Sequence, residues 1–117
     1  MYIEVLKSKL HRVTVTEANI DYIGSVTMDE DLMDAADFCE HEKVDVYNYR
    51  NGERFSTYVI KGLRGSGIIC LNGPASLKVK TGDEVIIASY AQIEYEKRKN
   101  HHPVVIFPEA KTNRLKG

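Results

Sequence analysis

An Asn51-Gly52 pair separates two alternating runs, Val44 to Tyr49 and Arg54 to Ile60. Asn-Gly readily supplies the positive φ angles of a tight primed turn, so this stretch is expected to fold as a β-hairpin. In its second strand Arg54, Ser56 and Tyr58 share one face, while Phe55, Thr57 and Val59 share the other. A hairpin in mid-chain needs further strands to cover it, and the flanking sequence supplies them as short apolar runs with frequent breakers. Val5 to Thr16 alternates, which places Val5, Lys7, Lys9, His11, Val13 and Val15 on one face, and Ile20 to Ser25 reads as a second extended piece. Gly65 to Gly67 breaks the chain before a strand from Ile68 to Leu71. Thr81-Gly82-Asp83 leads into Glu84 to Ile93, and Val104 to Phe107 is a last strand.

Helix signals are few. Asp29 to Phe38 has a capping Asp29, acids in its first turn, and a short apolar face of Leu32, Met33, Ala35 and Ala36. In Asn72-Gly73-Pro74-Ala75 a single helical turn is expected to open at Pro74. Lys97-Arg98-Lys99 and His101-His102-Pro103 interrupt the strands, and the tail from Lys111 is expected to fray. The pattern predicts a mainly β protein, a compact barrel with small helical insertions.

The chain has 117 residues, which suits a single domain, 1–117, that buries roughly two-thirds of its unfolded surface and leaves no room for a separate cofactor domain. Lys and Arg number 16 against 17 Asp and Glu, a net charge of −1 that weighs against nucleic acid as a partner. Cys39 and Cys70 are too few for a disulfide framework and show no CxxC spacing, so no metal site is expected and a cytoplasmic location fits best. No basic and apolar leader opens the chain, and no run approaches the roughly 18 apolar residues of a membrane span, so neither export nor a membrane partner is expected. Charge is nonetheless uneven. Thr27 to Asp45 is acidic, with Lys43 its only base, whereas in Arg50 to Gly82 six bases face Glu53 and an acidic small molecule could bind there.

Several side chains carry candidate chemistry. Lys9 and His11 could pair as an anion site, against the plainer reading of a solvated strand face. Arg54 could clamp a carboxylate bidentately or form an ordinary cross-strand ion pair with Asp45. His101-His102 lacks nearby ligands for a metal and reads as an exposed loop. Gly-Ser occurs at Gly24-Ser25 and at Gly65-Ser66. A serine hydroxyl can attack the preceding carbonyl, and a preceding glycine permits the strained backbone this requires, but spacing does not choose between the two pairs.

The ordered set Lys9-Leu10-His11-Arg12-Val13, Thr16, Tyr22, Gly24-Ser25, Asn51 to Tyr58, Arg64-Gly65-Ser66, Asn72-Gly73 and Gly82 to Ala88 resembles the pyruvoyl-dependent aspartate 1-decarboxylases. The resemblance implies a double-psi β-barrel, a homotetramer, and conversion of L-aspartate to β-alanine and CO2 in pantothenate biosynthesis. It also selects Gly24-Ser25 as a self-cleavage site, giving chains 1–24 and 25–117 and a covalent pyruvoyl cofactor made from Ser25. The pyruvoyl ketone condenses with the substrate amine and accepts the electrons released as CO2 leaves. By the same resemblance Thr57 supports processing and substrate binding, and Tyr58 is the catalytic proton donor. Lys9 and Arg54 take the substrate carboxylates, with Gly73, Ala75, Asn72, His11, Tyr22 and Tyr47 as further binding groups. Self-processing of this kind leaves room for an accessory maturation factor. Two departures stand out: Pro74 lacks the N–H that an alanine would offer, and Tyr47 stands where relatives commonly have tryptophan. Two other readings compete, a pyruvoyl decarboxylase of another amino acid and a non-catalytic barrel such as a swapped-hairpin DNA-binding protein.

Overall fold

The computed structural model describes residues 1–116; Gly117, the last residue of the expected domain, lies outside them. Eight strands, one α-helix and two short 3₁₀ turns follow in the order β1 (Tyr2–Thr14), β2 (Glu17–Asn19), β3 (Ser25–Asp29), α1 (Glu30–Ala36), β4 (Lys43–Asn48), β5 (Arg54–Gly62), β6 (Ile69–Asn72), a 3₁₀ turn (Gly73–Lys78), β7 (Glu84–Glu94), a 3₁₀ turn (Tyr95–Asn100) and β8 (Val104–Ile106). The strands form one mixed sheet in the order β2-β6-β3-β5-β4-β7-β1-β8. The chain is mainly β with small helical insertions, compatible with the expected double-psi barrel. β1 and β2 sit near opposite ends of that order, yet only Val15 and Thr16 separate them. Thr16 bridges the gap by donating to Ile69 O at 2.9 Å, and Val15 donates to Asp83 O at 2.8 Å. The sheet therefore curls until its ends share one ribbon, enclosing Leu10, Val13, Val15, Val26, Val46, Val59, Leu71 and Ile87.

The hairpin forms, but its turn is wider than a two-residue primed turn. Tyr47 pairs with Arg54, Asn48 N donates to Glu53 O, and of the Asn-Gly pair only Gly52 has positive φ, +71°. The long first strand departs from simple alternation. Arg12 takes φ +72° at a register shift between His11 and Val13, and this bulge inverts the phase. Leu10 and Val13 both face the core, while Lys9 and His11 stay on the outer side; a second register shift, between Leu6 and Ser8, separates them from Lys7, whose ammonium pairs with Glu42 at 3.1 Å. Ile20 to Gly24 is a turn rather than a strand. The Asn19 side chain accepts from Asp21 N at 3.0 Å and bends the chain there, leaving Ile20, Tyr22 and Ile23 exposed.

Helix α1 begins as its sequence predicts. Asp29 caps it by accepting from Asp31 N at 2.8 Å, and Asp37 ends it in the left-handed conformation. The same Asp29 carboxylate accepts from Gly65 N and Gly67 N, so one buried side chain ties the helix to the glycine-rich loop. The tail from Lys111 is not frayed up to its anchor. Asn113 is 1% exposed, accepts from Thr14 N, and donates to Thr14 O and Gly67 O.

Candidate active site

Ser25 is the first residue of β3 and is 3% exposed. β3 lies between β6 and β5, and each neighbour brings a part of the predicted site. Antiparallel pairing sets Ser25 opposite Asn72. Parallel pairing of Val26 with Val59 puts Tyr58 level with Ser25 and Thr57 level with Gly24. Thr57 and Tyr58 are half-buried, and the Tyr58 ring lies 6.3 Å from that of His41.

Asn72 donates from Nδ2 to Ser25 Oγ at 2.9 Å and to Thr27 Oγ1 at 3.0 Å. Its Oδ1 accepts from the Cys70 thiol at 3.0 Å. Burial, reinforced by Glu17, pushes that thiol up to about 12, so it stays a protonated donor at neutral pH. With Asn72 donating to it, Ser25 Oγ keeps its own proton for Ile23 O at 3.4 Å.

Gly73 holds the other side of the linkage. Its φ is +62°, and a Cβ there would lie 2.7 Å from Gly24 Cα and 2.8 Å from Gly24 N. Only glycine lets the two backbones approach this closely. Pro74 follows against Gly24, opening the expected helical turn, and Ala75 packs on the core. The second Gly-Ser pair is different in kind: Ser66 is exposed, and its hydroxyl donates to Leu63 O and accepts from Ile68 N.

Lys9, His11, Tyr47 and Arg54 form a separate group on the outer face. The registers align His11, Ile86, Tyr47 and Arg54 in one row across β1, β7, β4 and β5, and Lys9, Ala88, Asp45 and Ser56 in the next. Arg54 forms no ion pair among the described residues; its guanidinium stacks over the Tyr47 ring, 4.4 Å from the centroid. Asp45, the alternative partner, accepts from Ser56 Oγ at 2.6 Å instead. A concavity of about 260 Å³ lies beside this stack, lined by Tyr47, Asn48, Tyr49, Gly52, Arg54 and Ile86. His11 packs 5.2 Å from Phe107 and edge-on to Tyr49. Burial, then Lys9 and Arg12, lower its pKa, favouring the neutral ring. Four residues of β5, about 13 Å of strand, separate Arg54 from Tyr58, so one chain holds two groups rather than one closed pocket. Tyr22 is exposed in the turn, with its carbonyl oxygen near Gly73.

This arrangement of Ser25, Asn72 and Gly73 in a curled mainly β sheet accompanies a whole-chain match, over residues 1–116, to the family model described as aspartate decarboxylase. The chain belongs to the aspartate decarboxylase family. An aspartate 1-decarboxylase of Parabacteroides distasonis is 58% identical over 115 residues, covering 98% of this chain and 99% of the relative. One from Flavobacterium psychrophilum is 56% identical over 116 residues, covering 99% and 100%. One from Caldicellulosiruptor saccharolyticus is 61% identical over 107 residues, covering 92% and 84%. Membership in the aspartate decarboxylase family makes the chain an enzyme, a carboxy-lyase.

The residues here fit the chain-derived group that the sequence resemblance implies. Ser25 is buried, follows a glycine, and receives an oriented amide donor. The sequence did not mark three supporting residues. Cys70 reads there only as one of two cysteines too few for a disulfide framework and Asp29 only as a helix cap, and Tyr90, one of seven tyrosines, carries no local signal. The i, i+2 spacing of Cys70 and Asn72 on one strand face was the available signal for the first. His101 contacts Leu6 O through Nε2 at 2.7 Å, a backbone tie between the second 3₁₀ turn and β1. No helix among the described residues is long and apolar enough to cross a membrane.

Proposed function

We propose that this chain cleaves itself between Gly24 and Ser25, converts Ser25 to a pyruvoyl group, and decarboxylates L-aspartate to β-alanine and CO2 for pantothenate synthesis in the cytoplasm. The observation that carries the reading is the Asn72 amide on buried Ser25 Oγ, with Gly73 packed directly on Gly24. Ser25 Oγ attacks the Gly24 carbonyl and its proton passes to the departing nitrogen, giving an ester. Thr57, level with Gly24, supplies a donor to the oxyanion, where one positioned donor contributes several kcal/mol. β-Elimination frees 1–24 with a terminal carboxylate and leaves dehydroalanine at 25; water enters and ammonia leaves to give the ketone.

Such a ketone, when formed, would supply an electrophile for the substrate amine and a sink for the electron pair freed as CO2 departs. The chain's own residues do the rest. Arg54, held over the Tyr47 ring, offers a bidentate fork to one carboxylate, and Lys9 offers a point charge to the other. Tyr58, level with Ser25, returns a proton to the former Cα. His11, neutral beside Lys9, together with Tyr22, Asn72, Gly73 and Ala75, completes the binding surface. Because Arg54 and Lys9 lie on the outer face and apart from Ser25, a homotetramer that sets one copy's outer face against another's Ser25 would close the site. An accessory maturation factor is compatible with this scheme, and comparing processing in purified protein with processing in lysate tests for one.

Denaturing mass spectrometry of warmed protein is the test. The two fragments should split after Gly24, and their masses should sum to about 1 Da above the intact chain, because water is gained and ammonia lost. An intact chain after prolonged warming in lysate, or a sum about 18 Da higher as in plain hydrolysis, refutes self-processing. Ser25→Ala should neither cleave nor form β-alanine, and assays with other amino acids should give little product.

A further inference from the structure

We propose that Tyr90 is a positioning residue for substrate binding, holding the Tyr47 ring in the place on which Arg54 stacks. The inference rests on the reading of Arg54 as a carboxylate ligand. Tyr47 OH and Tyr90 OH lie 2.6 Å apart. Tyr47 stands opposite Ile86 in the β4/β7 ladder, so Tyr90 is displaced four residues along β7, about 13 Å. Two phenols pointing toward each other close that gap head to head. They meet over Ala88, which faces outward with Ile86 and Tyr90 yet is only 1% exposed. Its small side chain leaves room between the two rings.

The consequence falls on Arg54. A long arginine side chain on an exposed strand start samples many rotamers, and each must be frozen out when a carboxylate binds. Stacking on an immobile aromatic face removes part of that freedom beforehand and fixes the plane of the guanidinium fork. A Tyr47 ring tethered at its hydroxyl provides such a face, and an untethered ring does not. Lys9 shares a row with Ala88 and Asp45, so the tethered pair also forms the floor between the two cations proposed to hold the substrate.

Steady-state kinetics of fully processed enzyme tests the proposal. Tyr90→Phe keeps the ring and deletes only the tether. It should raise KM for aspartate roughly threefold to tenfold, the range for one lost hydrogen bond, with kcat little changed. Tyr47→Phe should raise KM by a similar factor, and the double variant should add nothing further, since both remove the same bond. Mass spectrometry should show cleavage after Gly24 in all three. An unchanged KM in Tyr90→Phe, fully additive effects, or a loss confined to kcat overturns the proposal. Arg54→Ala separates the two levels. If it raises KM while Tyr90→Phe does not, only the positioning role fails; if Arg54→Ala leaves KM unchanged, the carboxylate reading of the site fails.

Discussion

Replacing Gly73 with alanine perturbs the contact on which the proposed self-cleavage depends, and the structure gives the size of the effect. At φ +62° an L-residue carries a left-handed penalty of about 1 kcal/mol. The new Cβ would also overlap Gly24 Cα at 2.7 Å, Gly24 N at 2.8 Å and Tyr22 O at 3.0 Å, all backbone atoms that no rotamer change can move aside. Relieving such an overlap through backbone shifts costs a further 1–3 kcal/mol or so. The sum, about 2–4 kcal/mol, corresponds to a Tm loss of roughly 6–20 °C for a chain of this length. Gly52→Ala is the control, because Gly52 has φ +71° but no atom within 4 Å of the added carbon. It carries the conformational penalty alone. Calorimetry in a Ser25→Ala background keeps every chain uncut, and mass spectrometry in the native background follows cleavage. Gly73→Ala should melt well below Gly52→Ala and cleave markedly more slowly, while Gly52→Ala cleaves normally. Equal melting temperatures together with equal cleavage rates would refute the close approach of Gly73 to Gly24.

Tyr58→Phe should leave cleavage intact and lower kcat for β-alanine formation about 100-fold, as expected for loss of a general acid; an unchanged rate removes Tyr58 as proton donor. Asn113→Ala removes three hydrogen bonds with Thr14 and Gly67 and should cost about 2–3 kcal/mol. Limited proteolysis should then nick the chain near Lys111; undiminished resistance would contradict the anchoring role. Burial alone would raise the Asp83 carboxyl, but Arg50, Asn48 and Lys80 N–H together lower it from 3.8 to about 2. Its contribution, about 2 kcal/mol, is therefore complete above the ordinary carboxylate value and disappears as pH falls through 2. Asp83→Asn should destabilise at pH 7 and hardly at all near pH 2, by denaturant titration at each pH; an equal loss at both would contradict the linkage.

Local turn and cap chemistry was legible in the sequence. Asn51-Gly52 marks the hairpin and Asp29 starts α1 because these signals act within a few residues. What alternation misjudged is equally local but less visible: Arg12 adopts a conformation that non-glycine residues seldom take, and the bulge reverses which of its neighbours face the core. The tail looked free because its anchor, Asn113, bonds to residues 99 and 46 positions away, and no local pattern encodes such a partner. The candidate site shows the same division. Hairpin geometry alone puts Arg54 and Tyr58 on one face, but the meeting of Gly24-Ser25 with Asn72-Gly73 arises from pairing of β3 with β6. Only the whole-chain resemblance anticipated it. Tyr90 escaped altogether, since its link to Tyr47 joins two neighbouring strands four residues out of register.

A cut after Gly24 would detach two strands, β1 and β2, and the longer of them is an interior one. β1 lies between β7 and β8; it contributes Leu10 and Val13 to the core and carries Lys9 and His11 on its outer face. On the proposed reading, processing turns a single folded chain into two interlocked polypeptides that no longer share a covalent link. Before the cut, folding of each chain is unimolecular, and only the assembly of copies depends on dilution. After it, refolding becomes a bimolecular association in which a free 24-residue peptide must find its partner and reinsert a strand. Maturation would thus make unfolding a one-way event at low protein concentration, with the mature enzyme retaining its shape through slow dissociation rather than ready refolding.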